Sequence, residues 1–206
     1  MRVSDNRYNR DRHKFDLALR MIHHEARTCT IRTWTGLTDD RIRKLYRSYL
    51  QTDRAHPVRR HRGKSPSQVE FFLRNPGTLF EAQTLGSLFF LWELLGLAAT
   101  KPGRGSVATS IERGVLFCTA YETYAALHTP ARISFEHAWF LLGALIRADE
   151  LRFETCGACG AVVLEDRLAE RRNSCLQCRE MSRALKPFAP GRAGNFQFDF
   201  WDAAPA

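Results

Sequence analysis

Four of the six cysteines in this chain form two CxxC pairs, Cys156-Gly157-Ala158-Cys159 and Cys175-Leu176-Gln177-Cys178, separated by fifteen residues. At that separation two short knuckles bring four sulfurs to the corners of one tetrahedron. Soft thiolates in a tetrahedral set favour zinc or an iron–sulfur centre. Zinc is the expected ion, because the pairs have the form of a ribbon or treble-clef knuckle in which Gly157 and Gly160 permit tight turns. Two unrelated disulfides or four scattered thiols are the competing arrangements, and structural disulfides are rarely formed by CxxC pairs in a reducing compartment. A catalytic zinc needs an open coordination position, whereas here sulfur fills all four places. A zinc deaminase would combine H-x-E with P-C-x-x-C. His23-His24-Glu25 supplies the first part, but no proline precedes Cys156. The site therefore reads as structural, holding together a segment too small to fold on its own core.

The elements that would position such a site follow from size and charge. A chain of 206 residues can bury one good core or two small ones. The N-terminal stretch MRVSDNRYNRDRHK leads into no apolar signal-like region. The longest apolar run, residues 85–99, is fifteen residues long and contains Glu93, short of the roughly 20 needed to span a bilayer. A soluble, cytoplasmic protein is expected. The net charge of +9 is unevenly placed: residues 1–64 hold 17 Lys and Arg against 7 Asp and Glu, and the remaining residues are nearly neutral. Such a basic third suits a polyanionic partner, or a simply solvated face.

Within it, TCTIRTWTGLTDDRIRKLYRSYL (28–50) has the pattern of a helix-turn-helix. Gly36 stands where the short turn requires a positive φ, after a helix expected over residues 14–27. Thr38 is a candidate N-cap, with Asp39 and Asp40 at the positive end of the next helix. Burying Ile42, Leu45 and Tyr49 would turn Arg43, Lys44 and Arg47 outward as one cationic ridge, with Arg41 beside it. That ridge could enter a major groove. The following RAHPVRRHRGK (54–64) reads as a charged loop, mobile until bound, in which Arg59, Arg60, Arg62 and Lys64 are candidate phosphate contacts.

Farther on, Ser65-Pro66-Ser67-Gln68 has the form of a capping box opening a short helix that ends at Asn75-Pro76-Gly77. Helices are expected over 78–99, 107–127 and 134–149. Their aromatic and leucine-rich faces form a core, and the nearly all-apolar surface of 88–97 suggests a partner subunit. Phe196, Phe198, Phe200 and Trp201 in the tail suggest that part of it docks on a surface. The expected architecture is mainly α: a basic helix-turn-helix-like DNA-binding region (1–64), a helical core and partner interface (65–150), a four-cysteine zinc-binding subdomain (151–186) and a tail (187–206).

LTDDRIRKLYRSY (37–49), SPSQVEFFLRNPGTLFEAQTLGSLFF (65–90), ETCGACGAVVL (154–164) and NSCLQCRE followed by Ser182-Arg183-Ala184 occur in one order over residues 12–186. In this the chain resembles the C-subunit family of the bacterial flagellar master transcriptional activator, the FlhC family. The resemblance implies a mostly helical subunit whose zinc ligands are Cys156, Cys159, Cys175 and Cys178. It also implies assembly with a D subunit into a hetero-oligomer that binds and bends promoter DNA and recruits RNA polymerase. Two other functions compete with it. One is a zinc-stabilised adaptor that binds only protein. The other is a nucleic-acid-modifying enzyme, for which there is no phosphate-cradling glycine loop, nucleophile elbow or HExxH.

Overall fold

The computed structural model describes residues 5–52, 58–61, 63–96, 110–168 and 175–184. Among them the chain is mainly helical, with one two-stranded antiparallel sheet: α1 (Asp5–His23), α2 (Thr28–Thr35), α3 (Asp39–Thr52), α4 (Glu70–Leu73), α5 (Pro76–Leu91), α6 (Ser110–Leu127), α7 (Phe135–Arg147), β1 (Leu151–Thr155), β2 (Val162–Asp166) and α8 (Leu176–Ala184). None of these helices is long and apolar enough to cross a membrane. The tail residues Phe196, Phe198, Phe200 and Trp201 lie outside the described residues.

One continuous apolar core runs from Leu17 in α1 to Leu164 in β2. Phe117 of α6 is its centre, fully buried, with ring centroids 5.0 Å from Phe135, 5.8 Å from Phe89, 5.9 Å from Trp139 and 6.0 Å from Trp34. Aromatic pairs at such separations add specific attraction to the area they remove from water. At Gly86 of α5 a methyl group would lie 2.3 Å from the Phe153 ring, so this glycine is what lets β1 approach the helix.

Two buried carboxylates tie the helices together, as buried charge requires partners. Glu136, in the first turn of α7, accepts the Arg27 N–H at 2.7 Å and the Thr30 hydroxyl at 3.1 Å. It thus occupies the N-terminus of α2, where Arg27 offers no cap of its own. Glu81 of α5 accepts the Tyr124 hydroxyl and, at 2.9 Å, the Arg132 N–H. That joins α5 to the end of α6 and to the loop before α7.

Several boundaries differ from the sequence expectation. The helix expected over 14–27 starts nine residues earlier and stops at His23. Its polar first half carries the ion pairs Arg12–Asp16 at 3.7 Å and Lys14–Asp11 at 3.8 Å. Its end is a Schellman turn: Glu25 N–H donates to the Ile22 C=O and Ala26 N–H to the Met21 C=O, with Glu25 in the left-handed region at φ 59°. The helix expected over 78–99 starts at Pro76, capped by the Asn75 side chain, and ends at Leu91. Another Schellman turn closes it, with Glu93 at φ 54°, Glu93 N–H on the Phe90 C=O and Leu94 N–H on the Phe89 C=O. Leu94 and Leu95 then fold back into the core.

The Ser65 capping box does not form. The helix begins at Glu70 without a side-chain cap, and the Ser65 hydroxyl faces the Cys29 thiol at 3.8 Å. Burial of Val69 and Phe72, and the stacking of Phe71 on the His137 ring at 4.0 Å, fix this stretch instead. The start of α7 agrees with the expectation, since the Ser134 hydroxyl accepts the His137 N–H.

Candidate metal centre and basic face

The first cysteine pair sits in the turn between β1 and β2. Cys156 N–H donates to the Ala161 C=O and Gly160 N–H to the Cys156 C=O, both at 2.8 Å. Of the two glycines expected to permit the turn, Gly160 takes the left-handed conformation, at φ 72°, and Gly157 does not. The second pair opens α8: the Cys175 C=O accepts the Arg179 N–H at 3.0 Å, and its sulfur accepts the Cys178 N–H at 3.4 Å. Cys175 therefore caps the helix, and Cys178 lies in its first turn. One hairpin knuckle with one helix N-terminus is the treble-clef arrangement rather than a ribbon of two hairpins.

The four sulfurs lie within 4.8 Å of one another. Cys159 Sγ and Cys175 Sγ are 3.7 Å apart, close to the ~3.8 Å edge of a tetrahedron whose centre is ~2.3 Å from each sulfur. No disulfide joins any of the six cysteines. Among the described residues these four form the one group of three or more His, Cys, Asp or Glu side chains placed to share an ion. The donor set fits a soft, four-coordinate cation and leaves no position for water.

Electrostatics point the same way. The Cys156 thiol is pulled down to about 6 by the backbone N–H groups of Cys175, Ala158 and Cys159. Cys178 is pushed up to about 12 by the neighbouring thiols of Cys159 and Cys175. One thiolate is welcomed by N–H donors, and its charge opposes the next ionisation. A divalent cation bound among the sulfurs would allow all four to lose their protons.

The His23-His24-Glu25 stretch is engaged elsewhere. His24 Nε2 lies 2.7 Å from Glu122 Oε1, and the same carboxylate binds the Arg20 guanidinium through both of its oxygens. Burial lowers the His24 pKa despite the carboxylate beside it, and the Arg20 hydrogen bonds lower that of Glu122. Glu25 serves the segment that follows α3: its carboxylate accepts the Arg59 N–H at 3.1 Å and lies 2.7 Å from His61 Nε2. Arg27 donates to the Gly63 C=O at 2.6 Å. Arg59, His61 and Gly63 are thus hydrogen-bonded to residues at the turn between α1 and α2, while residues 54–57 of the charged loop expected there lie outside the described residues. Arg62 lies outside the described residues.

At the opposite side of the same corner, Gly36 ends α2 in the left-handed region at φ 67° and the chain turns into α3. The Thr38 hydroxyl accepts the Arg41 N–H at 3.4 Å. Ile42 and Tyr46 are buried, Leu45 is half-buried, and the Tyr49 side chain falls outside the described set. The Tyr46 hydroxyl donates to the Ala26 C=O, and Arg60 lies over its ring at 5.7 Å. Helical spacing from Ile42 would have identified Tyr46 as part of the buried face. Glu25 gave no comparable signal, because its partners lie 34 and 36 residues away.

Arg41, Arg43, Lys44 and Arg47 are all exposed along α3, as are Arg59, Arg60 and Lys64 after it. They are not equivalent. Arg43 is paired with Asp40 at 2.9 Å, and Arg32 with Asp39 at 3.2 Å. Among the described residues no carboxylate pairs with Arg41, Lys44 or Arg47. In comparisons with known proteins, no family model matches the chain, and no curated protein matches it either.

Proposed function

We propose that this chain is the DNA-binding subunit of a hetero-oligomeric transcriptional activator, with one structural zinc ion on Cys156, Cys159, Cys175 and Cys178 and no catalytic role of its own. The observation that carries this reading is the exposed row Arg41, Lys44 and Arg47 on α3, free of acidic partners among the described residues and set behind a three-residue turn that starts at Gly36. A helix with this surface can lie along a duplex, exchanging condensed counterions for its own charges. Arg59, Arg60 and Lys64 add positive charge beside it.

The zinc ion, when bound, cross-links the hairpin knuckle to α8. The chain's own contribution is to aim backbone N–H groups at the sulfurs and to seat β1 on α5 through Phe153. Zinc is preferred to an iron–sulfur cluster because the four sulfurs all lie within 4.8 Å of one another, a separation that suits a single ion, with one pair at 3.7 Å. The flagellar promoters, the D subunit and the recruitment of RNA polymerase rest on the order of the motifs in the sequence, and a cytoplasmic location on the lack of a signal-like or membrane-spanning stretch in it. Exposed Leu91 of α5, at 71 %, is a candidate contact for the partner subunit.

The test is promoter binding by the co-expressed complex over a range of salt. Replacing Arg41, Lys44 and Arg47 together by alanine should weaken binding and flatten the slope of log affinity against log salt by about 2 to 3, near 0.9 for each phosphate that is no longer neutralised. An unchanged slope would reject α3 as the DNA-binding element. The ion pairs Arg43–Asp40 and Arg32–Asp39 favour a second reading, a zinc-stabilised protein adaptor, because they neutralise the start of α3. Absence of DNA binding both alone and with a D-type subunit would support it.

A further inference from the structure

The serines and glutamine that would cap a helix at Ser65 line a cavity instead. Its volume is about 350 Å³, at the small end of ligand pockets. Ser65, Ser67 and Gln68, from the irregular stretch before α4, contribute one part of its wall, and Phe71, Arg74 and His137 contribute another. Contacts with the body of the protein hold this wall in place. The Gly63 C=O accepts Arg27 at 2.6 Å, the Ser65 hydroxyl lies 3.8 Å from the Cys29 thiol, and Val69 and Phe72 are buried in the core. A site whose walls are set beforehand loses less freedom when a ligand enters.

Two groups stack on the Phe71 ring: the His137 ring at 4.0 Å between centroids, and the Arg74 guanidinium at 4.7 Å from the Phe71 centroid. Stacking on an aromatic face orients a guanidinium without using its fork of N–H donors. Ser134 determines which nitrogen of the imidazole carries hydrogen. Its oxygen accepts the His137 N–H at 3.4 Å and lies 2.7 Å from Nδ1, so the hydroxyl donates to Nδ1 and the ring hydrogen resides on Nε2. Burial, with Arg74 and Arg27 nearby, lowers the pKa of this histidine and favours its neutral form. We propose that the cavity binds the phosphate group of a small phosphomonoester, with Arg74 as its cation and Ser65, Ser67, Gln68 and His137 as neutral donors. A monoester offers three terminal oxygens spread about phosphorus, which suits guanidinium, hydroxyl and amide donors carried by different parts of one wall. A planar carboxylate is matched by the fork of Arg74 alone. Glu70, also in the wall, opposes the anion and limits its affinity. This inference does not depend on DNA binding.

Titrating the zinc-loaded full chain with inorganic phosphate at constant ionic strength, followed by amide and imidazole NMR shifts, tests it. The shifts should be confined to residues 65–74 and His137 and should saturate with a Kd of about 1 mM or below. Glycerol 3-phosphate should bind at least as tightly, and acetate and dimethyl phosphate about tenfold more weakly or worse. Arg74→Ala should weaken phosphate binding about tenfold or more, and Ser67→Ala by less. Glu70→Gln should tighten it, and Arg147→Ala, at the other end of α7, should leave it unchanged. Shifts that do not saturate, that survive Arg74→Ala in a folded protein, or that weaken as much in Arg147→Ala would overturn the proposal and leave only general attraction to a basic surface. Equal binding of dimethyl phosphate would also overturn it, because the cavity would then suit a phosphodiester such as the DNA backbone.

Discussion

The two ends of the molecule are held by different physics. At the α1–α3 end, Leu17, Ala18, Met21, Ile22, Ile31, Ile42 and Tyr46 are each no more than 2 % exposed, so burial of apolar surface fixes the helices and leaves charge outside. At the far end, no described side chain of α8 is buried, and Met181 is 57 % exposed. A helix of nine residues is marginal in water by itself. With an ion bound, the sulfur cluster would do for α8 what apolar contacts do for α1–α3. Charge follows the same division, since a helix secured on one face by its core can carry arginines freely on the other.

The largest effect should come from cutting the cross-link. In Cys159→Ser, bound metal should fall from one ion per chain to none, and the α8 amides should exchange freely while those of α1–α7 stay protected. Metal analysis with residue-resolved exchange checks this. Loss of protection throughout the chain would break the comparison. Next comes Ile42→Ala, expected to destabilise the helical body by about 2–5 kcal/mol in urea unfolding, with metal content unchanged. Loss of metal in that variant would mean that the two ends are not independent. The smallest effect is local: Glu93→Gly relieves a left-handed non-glycine residue at the end of α5 and should raise stability by about 1 kcal/mol, read as a higher urea midpoint at constant slope.

The sequence made some of these features legible because they rest on local chemistry. The CxxC spacing identified the thiol cluster, the positive φ at Gly36 followed from the turn, and Ser134 announced α7. What escaped was decided at long range. Ser65 to Gln68 has a good local cap, yet Val69 and Phe72 are drawn into the core and shift the helix start to Glu70. The apolar run beyond Leu91 satisfies helical periodicity, but the reversal at Glu93 returns Leu94 and Leu95 to the core. The short strands β1 and β2 flank the first cysteine pair and, among the described residues, pair only with each other. The placement of Arg59 and His61 depends on Glu25, whose role no local pattern encodes.

Glu25 performs two tasks with one conformation. Its left-handed backbone stops α1, and its carboxylate, brought round by that bend, gathers the Arg59 amide and the His61 ring. The guanidinium groups of Arg59 and Arg60 are consequently presented at a set angle to α3. On the proposed function, a polyanion would meet α3 together with a neighbouring segment that Glu25 holds by hydrogen bonds. If the proposed partner binds there, less chain freedom would remain to be lost, and a single carboxylate tens of residues away in sequence would help to set the orientation of the charged corner.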